Sequence, residues 1–358
     1  MLNTLAAILL FGLIVLIHEF GHFLFAKLNG IGVTEFSIGM GPRLASFVKG
    51  ETRYSIKILP FGGSCAMVGE DAADPDPKSF HNKSALARIS VIAAGPVFNF
   101  ILAFLFAMVI VSQVGHDSAI LHDVTDGSPA QEAGLQAGDK ITHINRRKVS
   151  AYRDVSLYMF THPGETVTVR YERPFGGVWQ EGAAAEKRSA EITPVYDEEY
   201  QSYMLGVVFQ GYQKAKNPIE FLQYSAYEVK YCIVSTLDSF GMLFRRQLQV
   251  DDAVAGPVQI VTMVGQTVGQ GREAGARVLL YIISNWGLLL SASLGIMNLL
   301  PIPALDGGRL LFLLIELVRG EPIDPEKEGM IHMFGMMVLM ALMVMILFND
   351  IRKLIFPV

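Results

Sequence analysis

The stretch His18-Glu19-Phe20-Gly21-His22 sits inside an apolar run that starts at Met1 and reaches Ala26. On a helix, positions four apart share a face, so both imidazoles point the same way. Two histidines at that spacing form a zinc clamp, and the glutamate beside them can act as general base on an attacking water. Three ionisable groups in an apolar segment of membrane-spanning length are costly, which marks them as functional. The plainer alternative is a stray motif on a buried helix.

Outward from this run, three more stretches read as membrane helices: Ile89 to Val111, Val278 to Leu300 and Gly329 to Phe348, beside the first at Leu2 to Lys27. The third is interrupted by Ser284, Asn285, Ser291, Ser293 and Asn298. Hydrophobic residues make up 51% of the 358-residue chain, and mean hydropathy is +0.37. That suits a membrane protein carrying a water-soluble part. A net charge of -5 gives no case for nucleic acid. Two cysteines, Cys65 and Cys232, are too few for a disulfide framework. The N-terminus has no basic n-region and no small-residue cleavage site before Lys27, so the first helix reads as retained.

The loop from Lys27 to Arg88 carries eight Lys or Arg residues, which places it in the cytoplasm by the positive-inside rule. His18 and His22 then lie toward the cytoplasmic end of the first helix, and the long segment between the second and third helices lies outside. Arg352 and Lys353 would also end up outside, a mild breach of the rule. Within the first loop, Arg53 to Ile58 alternates strictly, with Tyr54, Ile56 and Ile58 on one face. That predicts a strand ended by Pro60 and Gly62-Gly63, paired in a hairpin.

The outside segment predicts a small α+β domain from Gly115 to Gln213. Strand signals lie at Ala119 to Val124, Ile141 to Asn145, Thr166 to Arg170 and Leu205 to Phe209; Ser128-Pro129 is a helix start, and Phe175 to Lys187 is a loop. From Lys214 to Arg277 the chain is mixed. It has an amphipathic stretch near Phe221 to Leu243 and a break at Gly256-Pro257, and it reads as lying against the outer membrane face.

Two histidines leave zinc short of the three protein ligands that a catalytic site uses. The best third ligand is Asp306, in Asn298-Leu299-Leu300-Pro301-Ile302-Pro303-Ala304-Leu305-Asp306-Gly307-Gly308. Paired prolines and the Gly-Gly break the helix there, and broken helices at membrane depth occur where they are buried or line a cavity. Glu316 and His332 are rivals. Glu316 sits in ordinary helix, and a histidine such as His332 is more often a satisfied core or interfacial group.

On these residues the chain resembles the bacterial site-2 proteases, intramembrane zinc metalloproteases, and most of all the regulator of sigma-E protease branch. The resemblance covers nearly the whole chain. It runs through the His18 to His22 pattern, Asn298 to Gly308, and Ala94-Gly95-Pro96-Val97-Phe98-Asn99-Phe100 in the second helix; Ser128-Pro129-Ala130 to Asn145 resembles a PDZ domain. Several members carry two tandem PDZ domains, whereas this chain has length for one. The resemblance implies that His18, His22 and Asp306 hold Zn2+, that Glu19 is the general base, and that Asn298, Pro301 and Pro303 help hold substrate. It also favours Tyr54, Ile56 and Ile58 as an edge for strand addition, since a helical substrate must be unwound before hydrolysis.

The expected fold is thus a polytopic α-helical membrane protein of about four transmembrane helices, with a membrane-associated β-hairpin and an extracytoplasmic α+β PDZ domain. The expected parts are residues 1–114, 115–213, 214–277 and 278–358. The expected setting is the bacterial inner membrane, with the active site near the cytoplasmic side and the PDZ domain periplasmic. Expected partners are single-span membrane proteins, the lipid bilayer and peptide C-termini at the PDZ domain. Candidate substrates are an anti-sigma factor already cut outside, or remnant signal peptides. A non-catalytic PDZ scaffold would have no need of Glu19. A zinc transporter would need ligands along several helices, and the second and fourth have none in their centres.

Overall fold

The computed structural model describes residues 2–70, 74–176, 179, 184–245 and 256–355. Contacts divide them into two compact units, one drawn from residues before Met108 and after Arg245, the other from Met108–Arg245.

The first unit opens with α1 (Leu2–Leu28), a hairpin of β1 (Val33–Lys49) and β2 (Thr52–Met67), and α2 (Ala85–Val114), whose last turns belong to the second unit. Four helices of this unit are long and apolar enough to cross a membrane: Leu2–Leu28, Ala85–Val114, Ala276–Leu299 and Glu326–Arg352. These are the four stretches that hydropathy marks, with ends that differ by at most four residues. Much of their apolar surface stays exposed, as at Leu9, Leu105, Val344 and Phe348. Lipid rather than protein suits such surfaces.

Beta-strand β2 does not end at Pro60, as local turn chemistry predicts, but continues to Met67. The pairing steps from Met40–Leu59 to Ile38–Gly63, so Pro60 and Gly62 (φ +78°) fall in an irregular stretch where a missing donor costs little. The hairpin also doubles over. Phe36 pairs with both Cys65 and Tyr54, and Tyr54 pairs with both Phe36 and Phe47. Tyr54 accordingly packs between those two rings, at 6.4 and 5.2 Å. Glu35 ties the doubled layers, bonded by Arg43 at 2.7 Å and Ser55 at 2.6 Å. The Arg43 guanidinium, then the Ser55 hydroxyl, hold its carboxyl down to about 2.

The second unit contains β3 (His116–Asp117), β4 (Leu121–Val124), α3 (Pro129–Glu132), β5 (Lys140–Ile144), β6 (Arg147–Lys148), α4 (Tyr152–Thr161), β7 (Val167–Pro174), β8 (Ala185–Ile192), β9 (Val195–Asp197), β10 (Ser202–Met204), β11 (Val207–Phe209), β12 (Tyr212–Gln213) and α5 (Pro218–Phe244). A four-stranded sheet in the order β6-β5-β7-β8 is joined by the pairs β4–β11, β3–β12 and β9–β10. Val167 and Val169, alternate residues of β7, fill its core with Leu121, Tyr158, Ile192 and, from β5, Ile141 and Ile144, which reach it from either side of a register shift in the pairing with β7. Part of the Phe175 to Lys187 loop lies outside the described residues.

The remaining helices return to the first unit: α6 (Pro257–Ala274), α7 (Ala276–Leu299), α8 (Asp306–Arg319) and α9 (Pro325–Ile355). The stretch read as one outer linker, 214–277, is therefore divided. Its first helix, α5, joins the second unit through Glu228, whose carboxylate binds Arg153 of α4 at 2.6 Å. Its second helix, α6, places Val264 and Val268 in a core with Leu10 and Ile14 of α1 and Leu102 of α2. Asp350 of α9 caps α6, accepting from Gly256 and Gln259 N–H at 3.3 and 3.2 Å. Periodicity marks α5 as a helix, but not which neighbour buries its apolar face.

Candidate active site

Helices α1 and α2 touch where glycine removes the side chain. A Cβ on Gly21 would stand 2.5 Å from Ala94 O, and one on Gly95 would stand 2.3 Å from His22 Nε2 and 2.7 Å from His18 Cε1. Pro96, with no N–H to donate, follows within α2. Both imidazoles are thereby pressed against bare backbone and nearly closed to solvent, with His18 at 7% and His22 at 6% exposure.

Asp306 arrives from the far end of the sequence, in the first turn of α8. The preceding loop is wound tightly enough that a Cβ on Gly307 would meet Leu300 O at 2.1 Å, and one on Gly308 would meet Ile302 O at 2.5 Å. Only glycine fits there, and that fixes where the carboxylate emerges.

The three groups converge. His18 Nε2 and His22 Nε2 are 3.2 Å apart, and Asp306 Oδ2 lies 3.2 and 3.4 Å from them. Ligands about 2.0–2.1 Å from a tetrahedral ion stand about 3.3 Å from one another. Among the described residues the buried Asp306 Oδ2 has no hydrogen-bond partner, which suits a metal-binding carboxylate. The residues present fit zinc.

Surrounding groups orient the ligands. His22 Nδ1 donates to Val91 O at 2.9 Å, which leaves the Nε2 lone pair for metal. His18 Nδ1 lies 3.1 Å from Asn99 Nδ2, while the buried Asn99 Oδ1 has no partner. Turning the amide end for end lets His18 Nδ1–H donate to Oδ1, which frees Nε2 for the ion. The contact of Asn99 with His18 is one that motif spacing alone does not reveal. The available signal is an amide in an otherwise apolar, charge-free helix.

Glu19 follows His18 on α1, and its Cγ is 3.0 Å from where a Cβ on Gly63 would stand. Asn298 Nδ2 is 3.5 Å from His18 Nε2, so it borders the same site. Pro303 backs onto α9, and Pro301 is exposed. The two rival ligands are engaged elsewhere. Glu316 is paired with Arg88, and His332 accepts from Ala304 N–H at 2.9 Å.

The expectation that Tyr54, Ile56 and Ile58 offer an edge meets a geometric objection. Residues 53–56 are paired on both sides, to 35–38 and to 45–48. The alternation that betrays a strand says nothing about how many neighbours it has. The outer edge of Gly63–Met67 carries no further strand among the described residues, and Gly63 is the residue beside Glu19.

Among the described residues one other group has the composition of a metal site, His116, Asp117 and Glu228. There the Arg153 guanidinium already holds both carboxylates, Asp117 at 2.8 and 3.1 Å and Glu228 at 2.6 Å. That is a buried ion-pair network. In the same unit Tyr203 to Val207 lines an open cleft with Ser128, Tyr152 and Met159. Gly206 there has φ +78°, and a Cβ on it would meet Ser128 Cβ at 2.1 Å.

A model of peptidase family M50 matches residues 6–342. A relative in Clostridium acetobutylicum is 34% identical over 349 residues, covering 98% of this chain and 97% of its own. The zinc metalloprotease RasP of Geobacillus kaustophilus is 30% identical, with 98% of each chain covered. The regulator of sigma-W protease RasP of Bacillus subtilis is 29% identical, covering 98% and 99%. Among solved structures, the PDZ domain of an SdrC-like protein from Listeria monocytogenes is 23% identical, covering 26% of this chain and 88% of its own at a TM-score of 0.20.

Proposed function

The chain belongs to peptidase family M50 and is a zinc metalloprotease, and from that premise we propose that it hydrolyses peptide bonds within or near the membrane segment of single-span membrane proteins. The observation that carries this reading is the meeting of His18, His22 and Asp306 within 3.4 Å, in a unit whose long helices are apolar on their outer faces.

His18, His22 and Asp306 hold the zinc. When bound, the ion supplies Lewis acidity, which acidifies water and polarises the scissile carbonyl. Glu19 accepts the proton of the attacking water and delivers it to the leaving amide nitrogen. Asn99 and the Val91 carbonyl keep both imidazoles turned toward the metal. Asn298 lies where it can hold the substrate backbone. Hydrolysis needs an extended peptide, and strand addition at the edge of Gly63–Met67 would hold one beside Glu19.

The substrate class is an anti-sigma factor shortened by an earlier cut, or a remnant signal peptide. The name of the Bacillus subtilis relative, a regulator of sigma-W protease, favours the first. The positive loop from Lys27 to Arg88 favours a cytoplasmic active site and a PDZ domain on the opposite side of the bacterial inner membrane. The PDZ domain filters substrates by bulk, or receives the C-terminus left by the first cut in the cleft along Tyr203 to Val207. Purified protein incubated with a single-span substrate, with chelator and with zinc restored, tests the core of the reading. Cleavage that persists after the metal is stripped overturns it.

A further inference from the structure

The loop from Pro301 to Leu305 delivers Asp306, and it is strained. Ala304 has φ +78°, a left-handed conformation that residues with a Cβ rarely adopt. Such a conformation persists only where the surroundings enforce it. One enforcing contact is the turn itself, in which the Leu305 N–H donates to Ile302 O at 3.1 Å across Pro303 and Ala304; another comes from outside the loop. The Ala304 N–H donates to Nδ1 of His332, on α9, at 2.9 Å.

His332 is itself held in place. Phe312 of α8 meets its ring at 5.7 Å between centroids. Glu328, one turn earlier on α9, lies 4.0 Å from its Nε2. One turn later, Gly335 backs onto Pro303 so closely that a Cβ would stand 2.4 Å from Pro303 Cβ. Helix α9 thus meets two of the five loop residues, one by packing and one by a directed hydrogen bond.

We infer that His332 is a positioning residue for the metal centre. It fixes Ala304 in its left-handed conformation and so sets where Asp306 enters the site. A shift of a few tenths of an ångström matters here, because zinc ligand distances are tight. The residue that resembles a ligand by type acts one bond further out, through the backbone. What it must supply is an acceptor at the Nδ1 position rather than bulk. The inference rests on Asp306 being the third ligand.

That distinction sets the test. Full-length protein in detergent is loaded with zinc, and zinc retention is read by competition with a chromogenic chelator, beside kcat and KM on a single-span substrate. His332→Leu keeps bulk and removes the acceptor. Zinc affinity should fall by about 10- to 100-fold, the range seen when groups supporting metal ligands are lost, and kcat should fall more than KM rises. His332→Asn, whose Oδ1 can take the place of Nδ1, should stay within about threefold of wild type. Ala304→Gly, which adopts a positive φ without strain, should restore most of the zinc affinity to His332→Leu. Wild-type zinc affinity in His332→Leu overturns the inference, as does failure of either the asparagine or the glycine rescue. If His332→Leu does not fold, His332→Asn alone decides: retained affinity supports the latch and lost affinity overturns it. Asp306→Ala is measured in parallel. Undiminished zinc in that variant means the ligand assignment fails. Loss of zinc there with full retention in His332→Leu means that only the latch fails.

Discussion

Asp306 Oδ2 stands 3.2 Å from His18 Nε2, although the two residues come from opposite ends of the chain. That contact makes the metal site a consequence of the whole bundle: α1 supplies the histidines, α2 presses them into place, and the first turn of α8 supplies the carboxylate. Changes far from the ligands in sequence should therefore be felt as loss of metal.

Glu19→Gln should retain zinc and lose cleavage by about 10²- to 10⁴-fold, the usual worth of general acid–base catalysis. Metal content and turnover measured on one preparation separate the two effects. A variant that cuts at the wild-type rate would remove Glu19 from the mechanism.

Asn99→Leu should weaken zinc binding by about 10- to 100-fold with every ligand intact, because His18 loses the bond that holds its tautomer. Gly95→Ala should do worse, since its methyl would stand 2.3 Å from His22 Nε2. Zinc titration of both variants is the check, and unaltered affinity in either contradicts the account of α2 given above. Little of this was readable in the sequence. The spacing of His18 and His22 is local, and so is the helix break that singles out Asp306. Asn99 bonds a histidine on another helix, and no period or spacing within α2 records that partner. The doubled hairpin was hidden for a related reason: alternation at Arg53 to Ile58 shows a strand but not its second neighbour.

Arg153→Met should loosen α5 from its neighbours, because Asp117 and Glu228 would remain buried without a counter-charge. Breaking such a network costs about 3–5 kcal/mol. Cys232, buried on α5 with its thiol pushed up to about 12 chiefly by burial, reports on this. Alkylation should be slow in the native protein and markedly faster in Arg153→Met. Equal rates would mean that the network does not hold α5. A disulfide between Cys65 and Cys232 should not form in either protein.

Acid should weaken the second unit through His116. Burial is the first cause of its lowered pKa, opposed by Asp117 and Glu228 and reinforced by Arg153. With the folded value below the unfolded one of about 6.5, its stabilisation is complete above that pH. It is lost as pH falls from there through the folded value. Thermal melts of the full-length protein between pH 7.5 and 5 should show a decline that His116→Gln flattens. An equally steep decline in His116→Gln assigns the acid sensitivity to another group.

Deleting the second unit tests whether it filters substrates by bulk. The division of the chain shows that a deletion confined to Gly115–Gln213 would leave the buried face of α5 stranded, so the deletion should run from Gly115 to Arg245. Under gating by bulk, that variant should cut untrimmed substrates while trimmed ones are still cut. Under C-terminus capture, trimmed substrates should be cut more slowly. A folded, zinc-loaded deletion variant that still rejects untrimmed substrates would end the gating idea.

The hairpin has a bearing on how the protein is made. Its strand of residues 43–49 pairs on one side only among the described residues, and Leu44, Phe47 and Val48 on it are 66%, 63% and 62% exposed. In water an open edge with that composition recruits other chains. The ribosome releases it after α1 and before α2, when only the first helix is available to hold it near lipid. Synthesis that outruns insertion should thus fail by aggregation through this segment, before the metal ligand from the far end of the chain has been translated.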